Sequence, residues 1–395
     1  MRHKIETERE NLFDVNMMIA MRVRLRNEIA YEDLKSAFDR AVLTHEILNS
    51  KVIIEDNGDA FYVDCDTPKS TFSKSECGFE ELINANERIR FRIEDGEYIR
   101  AFLSPDGLVF LMHHLAGDGK SLLFFIESFM KILSGERIDK VPFGNLSISE
   151  LPKESKPSCL YELFVKSWNR KWSKRRRVFT FDDMDRSFNE FWKTHETVTS
   201  ITVYGRDKLD GMLNEARKAG ASLTSYIIAG LIKDMPFRAD VGLAVDGRLD
   251  DSRCMGNFAT GIHINYRFNS RKTVGENAGR INNLMKKKLN DPRVRYNALN
   301  IVGRMDPTLI DTLCLESSGA YHSRLTSRFR EIMSYGRKKR DVSITNLMKD
   351  IIPDKYGELG IKDIAFVPPV VSYGKNLYGV ITMGDSMIVT RHTYR

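Results

Sequence analysis

Residues 98–133 constrain the fold more than any other stretch of the chain. Tyr98–Leu103 and Leu108–Met112 are apolar runs joined by Pro105-Asp106-Gly107, the pattern of two strands and a hairpin turn. The second run leads directly into His113-His114-Leu115-Ala116-Gly117-Asp118-Gly119. Beyond it, Leu122, Leu123, Phe125, Ile126, Phe129, Met130 and Leu133 recur at near-helical spacing, which predicts a helix from about Lys120 to Leu133, stopped by Ser134-Gly135. A titratable base, a carboxylate and two glycines therefore share one tight turn between strand and helix. Such a turn holds side chains more rigidly than a long loop, and the heptad reads as an active site.

With 395 residues, 42% of them hydrophobic, the chain can bury substantial cores, and its length suggests two or three domains. The five cysteines (Cys65, Cys77, Cys159, Cys254, Cys314) are odd in number, scattered and without C-x-x-C spacing, against a disulfide framework or a zinc site and in keeping with a reducing cytoplasm. The N-terminus has no apolar signal core, and no run approaches the roughly 18 apolar residues needed to span a bilayer, so a soluble cytoplasmic protein is expected.

Net charge is +7, and Leu163–Phe181 accounts for it, with Lys166, Arg170, Lys171, Lys174, Arg175, Arg176 and Arg177 and no acid. The charge is local and no recognisable nucleic-acid motif accompanies it, so a nucleic-acid partner is not expected. Tyr161, Phe164, Trp168 and Trp172 share one face of a predicted helix, with Lys166, Arg170 and Lys174 opposite. Two readings stand: a linker helix docked on its own protein by its aromatic face, or peripheral contact of 160–177 with an anionic membrane or an acidic partner.

Pro142 to Pro157 reads as loop, and a domain boundary is expected between it and Thr197: an N-terminal unit over 1–180, a C-terminal unit over 197–395, and a loop and basic linker over 140–196. The second half alternates helices (Ser222–Met235, Val274–Leu289) with strands (Asp240–Val245, Gly261–Arg267, Asp341–Leu347, Asp363–Val367, Tyr378–Met383, Met387–Thr393). Helices interspersed in a strand-rich chain indicate an α/β or α+β class.

The H-H-x-x-x-D-G heptad resembles the chloramphenicol acetyltransferase-like superfamily, which includes nonribosomal-peptide condensation domains, plant-type alcohol acyltransferases and the dihydrolipoyl acyltransferase catalytic domain. Further matches follow in family order. Leu34–Ala41 with Thr44-His45-Glu46-Ile47-Leu48 is similar to the first helix and the R-H-E-x-L-R segment, with Thr44 and Asn49 in place of arginines. Val245-Asp246-Gly247-Arg248 and Met255-Gly256-Asn257-Phe258 resemble the arginine and G-N/x-F segments of the second half. Ile344-Thr345-Asn346-Leu347 resembles the S-N-L-G strand end, with Met348 in place of glycine, and Phe366–Thr382 and Ser386–Tyr394 resemble the closing strands. The resemblance implies two related domains, each a mixed sheet covered by helices, with the active site in a channel between them.

It also implies an acyltransferase that moves an acyl group from a coenzyme A thioester to an alcohol or amine acceptor, with no tightly bound cofactor; the alternative it implies is a stand-alone condensation or ester-forming protein that takes its acyl group from a carrier-protein phosphopantetheine thioester. A catalytically silent binding protein of the same fold is the further alternative. Acyl transfer needs a base for the acceptor's proton and a hydrogen-bond donor for the oxyanion. The family pattern gives the first role to His114, whose imidazole suits proton transfer near neutrality. It gives His113 a shaping role and pairs Asp118 with Arg248 as a buried strut. Gly119 is expected to supply backbone freedom or a close approach. Thr345 stands where the family's serine can donate to the oxyanion, and Asn346 is its lower-ranked neighbour. A metal on His113, His114 and Asp118 is disfavoured, because adjacent side chains diverge on a strand and no further His/Glu cluster completes a site. Lys286-Lys287-Lys288 and Arg337-Lys338-Lys339-Arg340 read as solvated faces rather than as partners for phosphates. His45, His263 and His392 are dispersed and carry no expected role.

Overall fold

The computed structural model describes residues 1–333, 335, 340–372 and 374–395; residues 337–339 of the second basic run lie outside them. The strands are β1 (Arg2–Lys4), β2 (Met18–Leu25), β3 (Ser50–Ile54), β4 (Ala60–Asp64), β5 (Thr71–Lys74), β6 (Ile99–Ser104), β7 (Gly107–His113), β8 (Thr197–Tyr204), β9 (Ala239–Asp246), β10 (Ala259–Tyr266), β11 (Val342–Lys349), β12 (Lys355–Tyr356), β13 (Leu359–Val367), β14 (Asn376–Met383) and β15 (Ser386–Tyr394). They form two six-stranded sheets, in the orders β12-β13-β2-β7-β6-β5 and β10-β9-β11-β14-β15-β8, and a small sheet β1-β4-β3. Both large sheets are mixed: β5 runs parallel to β6, and β11 runs parallel to β9 and β14.

Each large sheet is covered by helices whose spacing is visible in the sequence. On the first, helices Tyr31–Thr44 and Gly119–Leu133 interlock aromatic rings with β7, Phe125 lying 5.8 Å from Phe38 and 6.0 Å from Phe110. On the second, Ile228 of helix Leu223–Ile232 and Ile281 of helix Val274–Leu289 share a core with Val241, Ile344 and Val380. Strand alternation divides the second sheet between two cores: Val380, Met387 and Val389 belong to this one, while Ile381, Met383 and Ile388 join the core of the first lobe.

The two lobes are not the two halves of the sequence. β13 pairs antiparallel with β2, from Ile361 opposite Leu25 to Val367 opposite Ala20, so the late segment 355–367 completes the first sheet. Leu309, Leu313 and Phe329, from helices Pro307–Ser317 and Arg324–Ile332, are also buried in the first core. The expected boundary between 180 and 197 therefore divides the chain but not its cores. Local periodicity identifies a strand and carries no information on which sheet it joins.

The linker contains two helices, Cys159–Ser173 and Phe181–Trp192. The first settles between the two readings of the basic segment as regards its aromatic face: Trp168 packs 5.2 Å from Phe329, and buried Trp172 donates its indole N–H to Thr308 Oγ1 at 2.8 Å. That face is docked on its own chain and is not available to a membrane.

A buried ion pair ties the lobes together. His392 of β15 lies with Nε2 3.2 Å from Glu87 Oε1 on helix Phe79–Glu87, and its Nδ1 is 2.9 Å from the Pro368 carbonyl. Glu87 also accepts hydrogen bonds from Asn16 Nδ2 at 2.7 Å and from the Thr197 hydroxyl. Burial alone would push the carboxyl up and the imidazole down, but their opposite charges and hydrogen bonds reverse both shifts. His392 thus has a structural role that its isolated position in the sequence did not reveal. Its raised pKa stabilises the fold fully below the unfolded value of 6.5, and this is lost as pH rises through the folded value; the Glu87 contribution is present above 4.5 and lost on acidification. Urea melts of His392→Gln should show a loss of about 3–5 kcal/mol near pH 6. The gap to the native protein should narrow as pH is raised.

Candidate active site

The histidine pair is fixed by main chain on both sides. The His113 N–H donates to the Tyr98 carbonyl at 2.9 Å and the His114 N–H to the Met17 carbonyl at 2.8 Å, where β7 is flanked by β6 and β2. His113 is buried in the first lobe, edge-on to Phe91, and its Nδ1 accepts the Leu115 N–H at 3.2 Å. Burial, with the nearby charges of His114, Arg90 and Arg100, pushes its pKa down to about 3, so the ring is neutral.

His114 is half-buried, with Nδ1 enclosed and bonded to no other residue among those described. Burial lowers its pKa from 6.5; the Asp118 charge and its own main-chain carbonyl oppose the shift without cancelling it. At neutral pH the ring is therefore an uncharged imidazole. Its Nε2 makes no hydrogen bond among the described residues.

Asp118 turns away from His114. As N-cap of helix Gly119–Leu133 it accepts the Ser121 N–H at 2.9 Å, and it receives Arg248 Nη1 at 2.8 Å, Arg248 Nη2 at 3.3 Å and the Phe258 N–H at 3.1 Å. Arg248 lies against the Phe258 ring at 4.2 Å and also reaches Asp246 at 3.1 Å, and Asp246 holds Lys120 at 2.7 Å. Ser121 completes the knot. Its hydroxyl accepts from Arg248 Nη2 at 2.8 Å and lies 2.7 Å from the Gly256 carbonyl, to which it donates, while Gly256 must be glycine because a Cβ there would stand 1.7 Å from the Gly144 carbonyl. Sequence reading found Asp118 and Arg248 but not Ser121. Its place three residues after an N-cap is visible in sequence; its link to Arg248, 127 residues away, is not.

Gly119 serves close approach, not a left-handed backbone: a Cβ there would lie 2.9 Å from Leu347 Cδ2 and 3.2 Å from Phe366 Cζ. The helix start is thereby pressed against the end of β11. Along β11, Ile344 belongs to the second core and Leu347 to the first, so Thr345 shares the first-lobe face with Leu347. Its half-buried hydroxyl has no hydrogen-bond partner among the described residues. Asn346 faces the other way, donating to Thr224 Oγ1 at 2.9 Å and accepting the Met348 N–H at 2.8 Å. Met348 replaces the resemblance's glycine, yet it adopts the left-handed backbone that glycine favours, with φ 68°, where the β11–β14 register shifts.

Among the described residues, no group of three or more His, Cys, Asp or Glu side chains could hold a metal. His45 is buried with Nδ1 2.7 Å from the Ala41 carbonyl, a local structural bond.

Removing one member of the Asp118–Arg248 pair leaves the other charge stranded, so Arg248→Met and Asp118→Asn should each cost about 3–5 kcal/mol in urea unfolding. The double variant should lose clearly less than the sum, since the stranded charge is then gone.

No protein-family model and no curated protein matches this sequence. Its similarity to solved structures is in fold. The first condensation domain of the CDA synthetase superposes with TM-score 0.63 at 12% identity, over 100% of this chain and 90% of that one. Polyketide synthase associated protein 5 from Mycobacterium tuberculosis gives 0.60 at 14%, over 99% and 92%. The starter condensation domain of rhizomide synthetase RzmA, a variant in complex with C8-CoA and Leu-SNAC, gives 0.60 at 12%, over 99% and 88%. The two mixed sheets and their helical covers thus have the two-lobed fold of these condensation-domain structures.

Proposed function

We propose that this protein transfers an acyl group from a pantetheine thioester, carried by coenzyme A or by a carrier protein, to the hydroxyl or amine of a small-molecule acceptor. One observation carries the reading: His114, neutral at physiological pH, stands on a main-chain-anchored turn at the lobe junction, its Nε2 bonded to none of the described residues. The C8-CoA bound by the rhizomide synthetase domain supports a thioester donor, and the five free cysteines suit a cytoplasmic setting.

In the step envisaged, His114 Nε2 takes the acceptor's proton as its oxygen or nitrogen attacks the thioester carbonyl. The Thr345 hydroxyl donates to the oxyanion of the tetrahedral intermediate. Collapse breaks the carbon–sulfur bond, and the thiolate leaves with the proton held by His114. Asp118, Arg248 and Gly119 keep the turn in place, His113 shapes it, and Asn346 fixes the strand end behind Thr345. The acyl group passes directly between the two substrates, with no covalent enzyme intermediate.

The test is release of free thiol from acetyl- to octanoyl-coenzyme A, and from an acyl-loaded carrier protein, across a panel of alcohols and amines. His114→Ala should lower kcat by roughly 10²–10⁴-fold with its melting temperature retained. Thr345→Val should lower kcat by roughly 10²–10³-fold. Because burial depresses the His114 pKa, the acid limb of the kcat/KM profile should lie below 6.5. Undiminished turnover in His114→Ala would remove it as the base. Ligand binding without turnover across the whole panel would leave a binding protein of the same fold.

A further inference from the structure

The outward face of helix Cys159–Ser173 belongs neither to the core nor to the candidate active site. With Tyr161, Phe164, Val165, Trp168 and Trp172 turned inward, Leu163, Lys166, Arg170 and Lys174 recur along the opposite side at spacings of three and four residues, about 16 Å of helix. Leu163 is 62% exposed, and Leu160, near the N-terminal end of the same face, is 79% exposed. Arg176 is paired with Asp306 and Arg177 with Asp183, whereas Lys166, Arg170, Lys174 and Arg175 take part in no ion pair among the described residues. The helix's one acid, Glu162, lies at the edge of the stripe. Beside it, helix Arg324–Ile332, joined through the Trp168–Phe329 contact, adds exposed Arg324 and Arg328 and half-exposed Ile332.

We propose that this face docks on an anionic lipid surface. Unpaired cations that stay in water are drawn to a negative bilayer and need no fixed spacing of partner charges, and protruding leucines can enter the acyl boundary. A folded protein partner would need a matched surface of roughly 800 Å² per side with an apolar centre. Here the exposed leucines, Leu160 and Leu163, stand at one end of a charged stripe. The aromatic face, which a free amphipathic helix would insert, is already buried, so the contact is shallow, reversible and sensitive to salt.

Sedimentation of the full chain with phosphatidylcholine vesicles, with and without phosphatidylglycerol, tests this. Binding should require the anionic lipid and fall with added salt. Lys166→Glu/Arg170→Glu/Lys174→Glu should weaken it about 100-fold or more. Leu160→Ser/Leu163→Ser should weaken it less, but still measurably at moderate salt. A control, Lys286→Glu/Lys287→Glu on helix Val274–Leu289, should bind as the native protein does, and all three variants should keep native circular dichroism. The proposal is overturned if anionic vesicles fail to sediment the native protein at low salt, or if the control loses as much binding as the stripe variant. Capture of an acidic protein by the stripe with no vesicle binding would likewise overturn it.

Discussion

The buried contact between Asp118 and Arg248 is the interaction on which the rest of the site depends. Asp118 caps the helix that follows the histidines, and Arg248 follows the end of β9 in the other lobe. A single carboxylate therefore fixes a helix terminus, neutralises a buried guanidinium and receives the Phe258 N–H. Burying two charges is costly, and the cost is offset only where geometry and additional hydrogen bonds are good. Ser121, Asp246 and the Phe258 ring supply them. Because the carboxylate is engaged there, His114 feels its charge without being bonded to it, and the imidazole stays neutral.

A second ionic tie joins Glu87 to His392, and the late chain returns to the early sheet through β13. The lobes are thus joined by two buried charge pairs, by a strand exchanged between sequence halves and by the Gly119–Leu347 contact. A turn carrying a base can be held to a fraction of an ångström only if both of its walls are fixed, and these joints fix them.

Much of this was legible in sequence because it is local or because it matched a pattern. The hairpin, the heptad and its helix follow from turn residues and from 2.0 and 3.6 periodicities, and observed bounds such as Gly107–His113 and Gly119–Leu133 differ from the expected ones by a residue or so. Partners distant in sequence were legible only where resemblance named them, as with Asp118 and Arg248. Ser121, Glu87 and His392 escaped because nothing in a single sequence links a serine or a histidine to a partner over a hundred residues away. Helix Phe181–Trp192 is a different omission: Thr180 and Asp183 form a capping box that was there to be read. At Met348 the residue type pointed away from a conformation that Asn346 and the strand irregularity impose.

The exchange of β13 bears on how the chain is made. During synthesis β2 can pair with β7 once both have emerged, but its other edge has no partner until residues 359–367 leave the ribosome. For most of that time the nascent chain presents an open, apolar sheet edge of the kind that recruits other chains. The first lobe therefore cannot close until most of the chain has been made, although it is encoded first, and an early stop codon anywhere before the segment would yield a sticky fragment in place of a smaller working unit.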